Sequence, residues 1–223
     1  MNKNIYKKKR KQRSRPIIYN QAQLAETAAT KTGHADASSL RAVLKDIEGQ
    51  SRRMSDMLTA LLNYSSLGRK YEALEQVDTR ALILSIADSL PESGITVAVD
   101  GDWPSLSTLR APMDLVLRNL VANALQHHDR QIGQVTVCCS DHPQSLKIAI
   151  SDDGPGIDPK HHNAIFLPFR TLTAGADTNS TGMGLAAVKK TIEAAGGTVE
   201  VSSNPKLRRG TTFLVTWPKV IFS

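Results

Sequence analysis

Asn119 and Asn123 stand four residues apart in the run Asn119-Leu-Val-Ala-Asn123, so on a helix they share one face. A neutral amide oxygen in that place is a sound ligand for a divalent cation that arrives with phosphates, because the phosphates already carry the negative charge. Asp152 closes the apolar stretch Ile148-Ala-Ile-Ser and opens Asp152-Asp-Gly-Pro-Gly-Ile157. A carboxylate at the end of a buried strand needs a partner, and Gly154 and Gly156 let the backbone turn sharply beside it. Gly182-Met-Gly184-Leu185 opens a helical stretch. Its exposed amides and positive dipole end can hold phosphate oxygens, and Ser180 and Thr181 add donors. Phe166-Leu-Pro-Phe169 lies between the acid and these glycines. Each run alone is a weak signal: a polar helix face accounts for two asparagines, and a surface turn for Asp-Gly-Pro-Gly. A surface turn does not account for the apolar strand leading into the acid. In this order the four runs describe a site for the phosphates of a nucleotide.

These residues need rigid elements to hold them. The pattern predicts helices over 79–90, 109–127 and 182–195, the last ended by Gly196-Gly197. Strands are expected over 95–99, 134–139, 145–151, 198–202 and 211–217. Strands and helices without strict βαβ alternation predict an α/β sandwich, a mixed sheet with helices on one face. The polar segment 158–181 reads as a hinged lid held by two aromatic plugs, Phe166 and Phe169. Arg170, beside the second plug, is the candidate for reaching a γ-phosphate. Thr211, following Gly210, is placed to share a water with Asp152.

Before this block, Leu40, Leu44, Ile47, Ser51, Met54, Leu58, Leu61 and Ser65 recur at alternating four- and three-residue steps, the seam of a long helix. A shorter Ala-rich helix over 17–32 precedes it, so the region is a long helix or a helical hairpin. Self-association through 39–66 is one use of the seam; packing on the chain's own following domain is the other. Lys3 to Arg15 carries eight lysines and arginines and no acid, and without it the chain's net charge of +7 falls to near neutral. Like charges repel, so a solvated tail is the reading. A grip on nucleic acid or an anionic membrane is the alternative, with no aromatic platform or recognition helix to support it. Domain boundaries are set at 1–15, 16–68 and 75–223. No run has the length of a membrane-spanning helix. The two cysteines, Cys138 and Cys139, point to opposite faces of a strand; a reducing cytoplasm is expected.

The four runs together resemble the ATP-binding half of sensor histidine kinases, within the wider group that includes gyrase, Hsp90 and MutL. The resemblance covers roughly residues 75–219 and implies the Bergerat ATP-binding fold, with ATP and Mg²⁺ as ligands. It assigns Asn123 to the metal and Asp152 to the exocyclic amine of adenine, and puts His127 where an aromatic ring stacks on the base. It carries over a nucleotide site made of Asn119, Asn123, His127, Asp152, Gly154, Gly156, Ile157, Phe169, Thr181, Gly182, Gly184, Leu185 and Thr211, with Asn119 and Arg170 in catalytic roles. ATP-hydrolysing relatives carry a Glu at the place of Asn119. An amide cannot act as a general base, which argues for phosphoryl transfer over hydrolysis. The run Ala124-Leu-Gln-His-His-Asp129, with Phe169-Arg-Thr-Leu172 and Trp217-Pro218, is most similar to the kinases of bacterial phytochromes.

Two departures stand out. Relatives place Lys where this chain has Gln126, so phosphate affinity is either lower or supplied by Arg170 and Lys160. Family members also phosphorylate a His early in the first dimerisation helix; His34, the only His of the helical half, sits beside Gly33 in an expected turn with too little chain after it for two bundle helices. The stretch Met54 to Ser66 resembles the end of the second such helix. The resemblance therefore implies a histidine kinase acting on a His of another chain, with a phosphotransfer or kinase partner and a response regulator. A non-catalytic ATP-binding module that regulates such partners is the alternative. A serine kinase resembling anti-sigma factors is the third reading.

Overall fold

A computed structural model of the protein describes residues 73–90, 94–172 and 181–220, together with Leu44, Lys45, Ile47, Gly49 and Ser51, which are helical. The chain divides into two units, 1–59 and 60–223. The basic arm, His34, the rest of the 39–66 seam and the lid residues 173–180 lie outside the described residues.

The ordered elements run β1 (Glu75–Asp78), α1 (Thr79–Asp88), β2 (Ile95–Gly101), β3 (Ser105–Thr108), α2 (Arg110–Gln126), β4 (Gly133–Asp141), β5 (Ser145–Asp152), α3 (Gly184–Ala194), β6 (Thr198–Asn204) and β7 (Arg208–Pro218). Two single 3₁₀ turns, Pro159–His161 and Ala164–Phe166, follow β5. The main sheet has the order β2-β4-β5-β7-β6. β2 and β4 are parallel, and every other pair is antiparallel. The helices and the main strands match the sequence reading to within a few residues. β1 and β3, which pair with each other, were not expected, because four residues each of Glu-Gln-Val-Asp and Ser-Leu-Ser-Thr carry almost no apolar alternation.

Strict alternation drives the sheet onto one layer of helices. Val135, Val137 and Cys139 on β4 are buried, as are Leu146, Ile148 and Ile150 on β5 and Phe213, Val215 and Trp217 on β7. Residues two apart share a face, so each central strand turns one face into a common core. The helices complete that core with Leu82, Ile83 and Ile86 of α1, Met113, Val116, Leu117, Leu120 and Val121 of α2, and Val188 and Ile192 of α3. Asp78 caps α1 by accepting from the Ala81 amide at 2.9 Å, satisfying one of the orphan donors of the first turn. Deep in the core, Trp217 Nε1 donates to Thr108 Oγ1 at 2.8 Å, which ties β7 to the small sheet. Cys139 is buried and Cys138 half-buried, both as free thiols; burial pushes the Cys139 thiol up to about 12. This packing lays α2 and the start of α3 beside the end of β5, where the acid and amides of the sequence motifs meet.

Candidate functional site

Asp152 is the last residue of β5. Its Oδ1 accepts from the Gly154 amide at 2.9 Å and the Thr211 amide at 3.3 Å. Burial raises the carboxyl above its ordinary range, against the lowering effect of those two bonds. Both donors sit on one oxygen, which leaves Oδ2 without a donor from the described residues. Thr211 thus reaches the acid directly through its backbone amide.

The turn beneath the acid is over-determined by residues that the motif reading did not single out. Gly210 has φ +93°, and a Cβ there would lie 2.1 Å from the Asp152 carbonyl oxygen; only glycine permits this approach. Its amide donates to the Gly154 carbonyl at 2.9 Å. Ser203 on β6 accepts from the Ile157 amide at 2.8 Å and donates to the Gly210 carbonyl at 2.7 Å. One hydroxyl therefore closes two strands around the Gly154–Ile157 turn. Its only local signal is a serine in a polar strand end, which no periodicity distinguishes.

Asn119 and Asn123 face the same cleft from α2, as their spacing requires. Asn119 Nδ2 donates to the Leu115 carbonyl at 2.8 Å, which aims its Oδ1 away from its own helix. A Cβ on Gly184 would lie 3.0 Å from that oxygen, so Gly184 lets the start of α3 approach α2. No side chain caps α3; its first-turn amides remain for a ligand. Phe169 donates its amide to the Gly182 carbonyl at 3.0 Å, bringing the second glycine run against Arg170.

The resulting cleft has a volume of about 290 Å³ and is walled by Asn119, Asn123, His127, Asp152, Gly156, Ile157, Arg170, Gly182, Gly184, Leu185 and Thr211 from the expected set. Gln126 lines it too, with Ala122, Pro155, Thr171 and Leu172 from within the quoted runs and Ile165 from outside them. Gly154, Phe169 and Thr181 are not in the wall. Gly154 holds the acid instead. Of the two expected aromatic plugs only Phe166 is one: it packs edge-on against Phe213 with centroids 6.3 Å apart, under the Lys189 ammonium at 5.7 Å. Phe169 takes a left-handed φ of +62° and is 44% exposed, because its bond to Gly182 turns the backbone away from the core. Lys160 pairs with Asp158 at 3.3 Å and does not reach the wall, which leaves Arg170 as its only Lys or Arg among the described residues.

His127 ends α2 at the edge of the cleft. Burial lowers its pKa below the ordinary imidazole range, partly offset by the Asp152 carboxylate. Among the described residues no group of three His, Cys, Asp or Glu could hold a metal. A neutral asparagine oxygen beside an uncapped helix start suits a Mg²⁺ that arrives with phosphates rather than a resident ion. No helix among the described residues is long and apolar enough to cross a membrane.

Residues 109–221 match the model of the family described as histidine kinase-, DNA gyrase B-, and HSP90-like ATPase. The chain is 27% identical over 169 residues to the phytochrome-like protein Cph1 of Synechocystis, covering 74% of this chain and 22% of that protein. It is 29% identical over 184 residues to the sensor histidine kinase CpxA of Escherichia coli, covering 78% and 39%. Among solved structures, the mycobacterial sensor histidine kinase MprB superposes with a TM-score of 0.58 at 24% identity, over 67% of this chain and all but 1% of that one. The chain thus spans less than half the length of these curated relatives.

Proposed function

We propose, since this chain belongs to the histidine kinase-, DNA gyrase B- and HSP90-like ATPase family, that it binds Mg·ATP and passes the γ-phosphate to a histidine on another chain. In that reading Asp152 Oδ2 accepts from the adenine amine, His127 stacks on the base, and the amides opening α3 hold the phosphates. Asn123 supplies an amide oxygen to Mg²⁺, whose charge screens the phosphates when it is bound. Arg170 meets the γ-phosphate. An imidazole nitrogen attacks the γ-phosphorus, ADP leaves with the bridging oxygen, and the imidazole proton goes to solvent.

The observation that carries this reading is the state of Asn119. Its amide is spent on the Leu115 carbonyl and its oxygen faces Gly184; neither atom can take a proton from water at neutral pH. A cleft shaped for nucleotide, with no base for hydrolysis at that position, keeps ATP until another nucleophile arrives. A response regulator as the final recipient, pairing of two chains through 39–66, and a cytoplasmic setting belong to the same proposal.

A second reading, a regulatory module that binds ATP without transferring phosphate, is favoured by one observation: Arg170 is the only Lys or Arg of the described wall, with Gln126 beside it. Incubation with γ-labelled ATP, alone and with separate His-containing domains, decides between them. Acid-labile, base-stable label on a partner supports the kinase; ATP binding without label on any partner supports the module.

A further inference from the structure

His128 follows the base-stacking His127, yet its side chain is completely buried, with an exposure of 0%. Its Nε2 lies 2.7 Å from Asp153 Oδ1. That same oxygen accepts from the Gln134 amide at 2.8 Å, and Asp153 follows Asp152, the acid assigned to adenine. A carboxylate held ionised by two donors can only accept; these bonds draw the Asp153 carboxyl below its usual range. Nε2 therefore carries the proton of this pair. Nδ1 faces the Arg130 backbone, 3.2 Å from its nitrogen and 3.3 Å from its oxygen. In the neutral ring it accepts from the Arg130 amide, so every polar atom of this buried imidazole is satisfied.

The surroundings are cut to the ring. A Cβ on Gly133 would lie 2.3 Å from both Cε1 and Nε2 of His128, and one on Gly154 would lie 3.6 Å from Cδ2. The loop carrying the ring is tied down from another side by Arg209, which meets Asp129 at 2.6 Å. The imidazole thus fills the gap between the end of α2, the start of β4 and the end of β5. Those ends carry the two halves of the base site: His127 on α2 and Asp152 on β5. One side-chain bond spans them, between the residue after the stacking ring and the residue after the acid.

We propose that His128, through its bond to Asp153, is a positioning residue that sets the distance between the stacking ring and the adenine-binding carboxylate, and so sets selectivity for adenine. This rests on the nucleotide reading of the cleft. Asp152 Oδ2 attracts an amine donor and repels a carbonyl oxygen, so a carboxylate at the right distance favours adenine over guanine. Loosening the junction lets the acid swing and blurs that distinction.

The test uses the 223-residue chain, calorimetry with ATP and with GTP, and ¹⁵N imidazole spectra without nucleotide. His128→Phe keeps a flat ring, slightly larger than the imidazole, and drops the donor; it should lower ATP affinity about tenfold, as loss of a charge-assisted bond does, and cut the ATP-to-GTP preference by a similar factor. His128→Gln, which offers an amide donor to Asp153, should restore both to within about threefold. Asp153→Ala, at a half-exposed position, removes the same bond from the other side and decides the matter should the Phe variant fail to fold. Asp153→Ala also frees the Gln134 amide, so the double variant should lose no more than Asp153→Ala alone, because the His128 bond is already gone in it. The spectra should show the protonated nitrogen at Nε2 and an accepting Nδ1. Folded variants that keep the wild-type ATP-to-GTP ratio overturn the inference alone, as does a Gln variant no better than Phe. A wild-type chain that binds no ATP overturns the nucleotide reading and the inference with it.

Discussion

The amide of Phe169 donates to the carbonyl of Gly182 at 3.0 Å, and this one backbone bond joins the end of the Phe-Leu-Pro-Phe run to the start of the Gly182-Met-Gly184 run. Gly182 sits at φ +66°, with its Cα so close that a Cβ would lie 2.9 Å from the Phe169 carbonyl carbon and the Arg170 nitrogen. Phe169 adopts its own left-handed φ of +62° to complete the junction. A non-glycine residue in that region is uncommon and costs energy. The strain is located where Arg170 and the first turn of α3 must face the same ligand.

Gly182→Ala should therefore damage binding more than folding. The added methyl meets backbone rather than a flexible side chain, and the left-handed conformation alone costs about 1–2 kcal/mol for an L-residue. ATP affinity should fall about tenfold, by displacement of the α3 start relative to Arg170. The core of α2, α3 and the sheet is untouched, so thermal unfolding should move by only about 2–4 °C per kcal/mol. Calorimetry and a melting curve on the same sample check this; an ATP affinity equal to wild type would mean the junction does not position the phosphates.

Arg170→Ala should weaken ATP more than ADP. Arg170 is the only Lys or Arg among the described wall residues, and a charge-assisted bond to phosphate contributes roughly 1.5–3 kcal/mol. If that bond goes to the γ-phosphate, ATP affinity drops by about ten- to a hundredfold and ADP affinity stays near wild type. Equal losses for the two nucleotides would place Arg170 on the α- or β-phosphate instead.

Much of this was legible because some residues announce their neighbours locally. The four-residue spacing of Asn119 and Asn123 fixed a shared face before any packing was known, and the apolar run into Asp152 marked a strand ending in an acid. β4, β5 and β7 alternate so regularly that their buried faces follow from the sequence. What stayed hidden depends on contacts between distant positions. Ser203 matters because Ile157 and Gly210 come to it from other strands, and nothing in Ser-Ser-Asn encodes that. His128 carries no local signal that sets it apart from His127; its burial follows from Gly133 and Gly154 making room beside its ring. Phe169 misled for a related reason. Two Phe three residues apart suggest two anchors, but the bond to Gly182 holds Phe169 at a left-handed φ and leaves it exposed.

The chain should hydrolyse ATP very slowly and should not label itself on His34. The Asn119 amide has no basicity to activate water, and rescue by substitution is specific: Asn119→Glu should raise hydrolysis if the position is geometrically placed for a base. The assay is steady-state ADP release, followed by acid and base treatment of the protein after γ-labelled ATP. Acid-labile phosphate on the isolated chain that disappears in His34→Gln would replace transfer in trans by self-phosphorylation.

Asp152→Asn should separate function from stability, and the sign follows from the carboxyl's raised pKa. Burial makes ionisation of Asp152 harder in the folded chain than in the unfolded one. The folded state therefore binds the proton more tightly, and stability is lost as pH rises from the ordinary carboxylate range through the folded value. Above the folded value that cost is fully present in the wild type. The asparagine avoids it: its Oδ1 still accepts from the Gly154 and Thr211 amides, and it has no charge to desolvate. The nucleotide-free variant should melt about 2–4 °C above wild type at pH 7 for each kcal/mol relieved, and the gap should close as pH falls below the ordinary carboxylate range. Binding goes the other way. With Oδ1 turned to the two amides, Nδ2 faces the adenine amine, donor against donor, and ATP affinity should drop at least about tenfold. Saturating ATP stabilises whatever binds it, so adding Mg·ATP should reverse the order of the two melting temperatures. A variant that melts lower than wild type without ligand, or that gains as much from ATP, would show that this carboxylate is neither strained by burial nor aimed at the base.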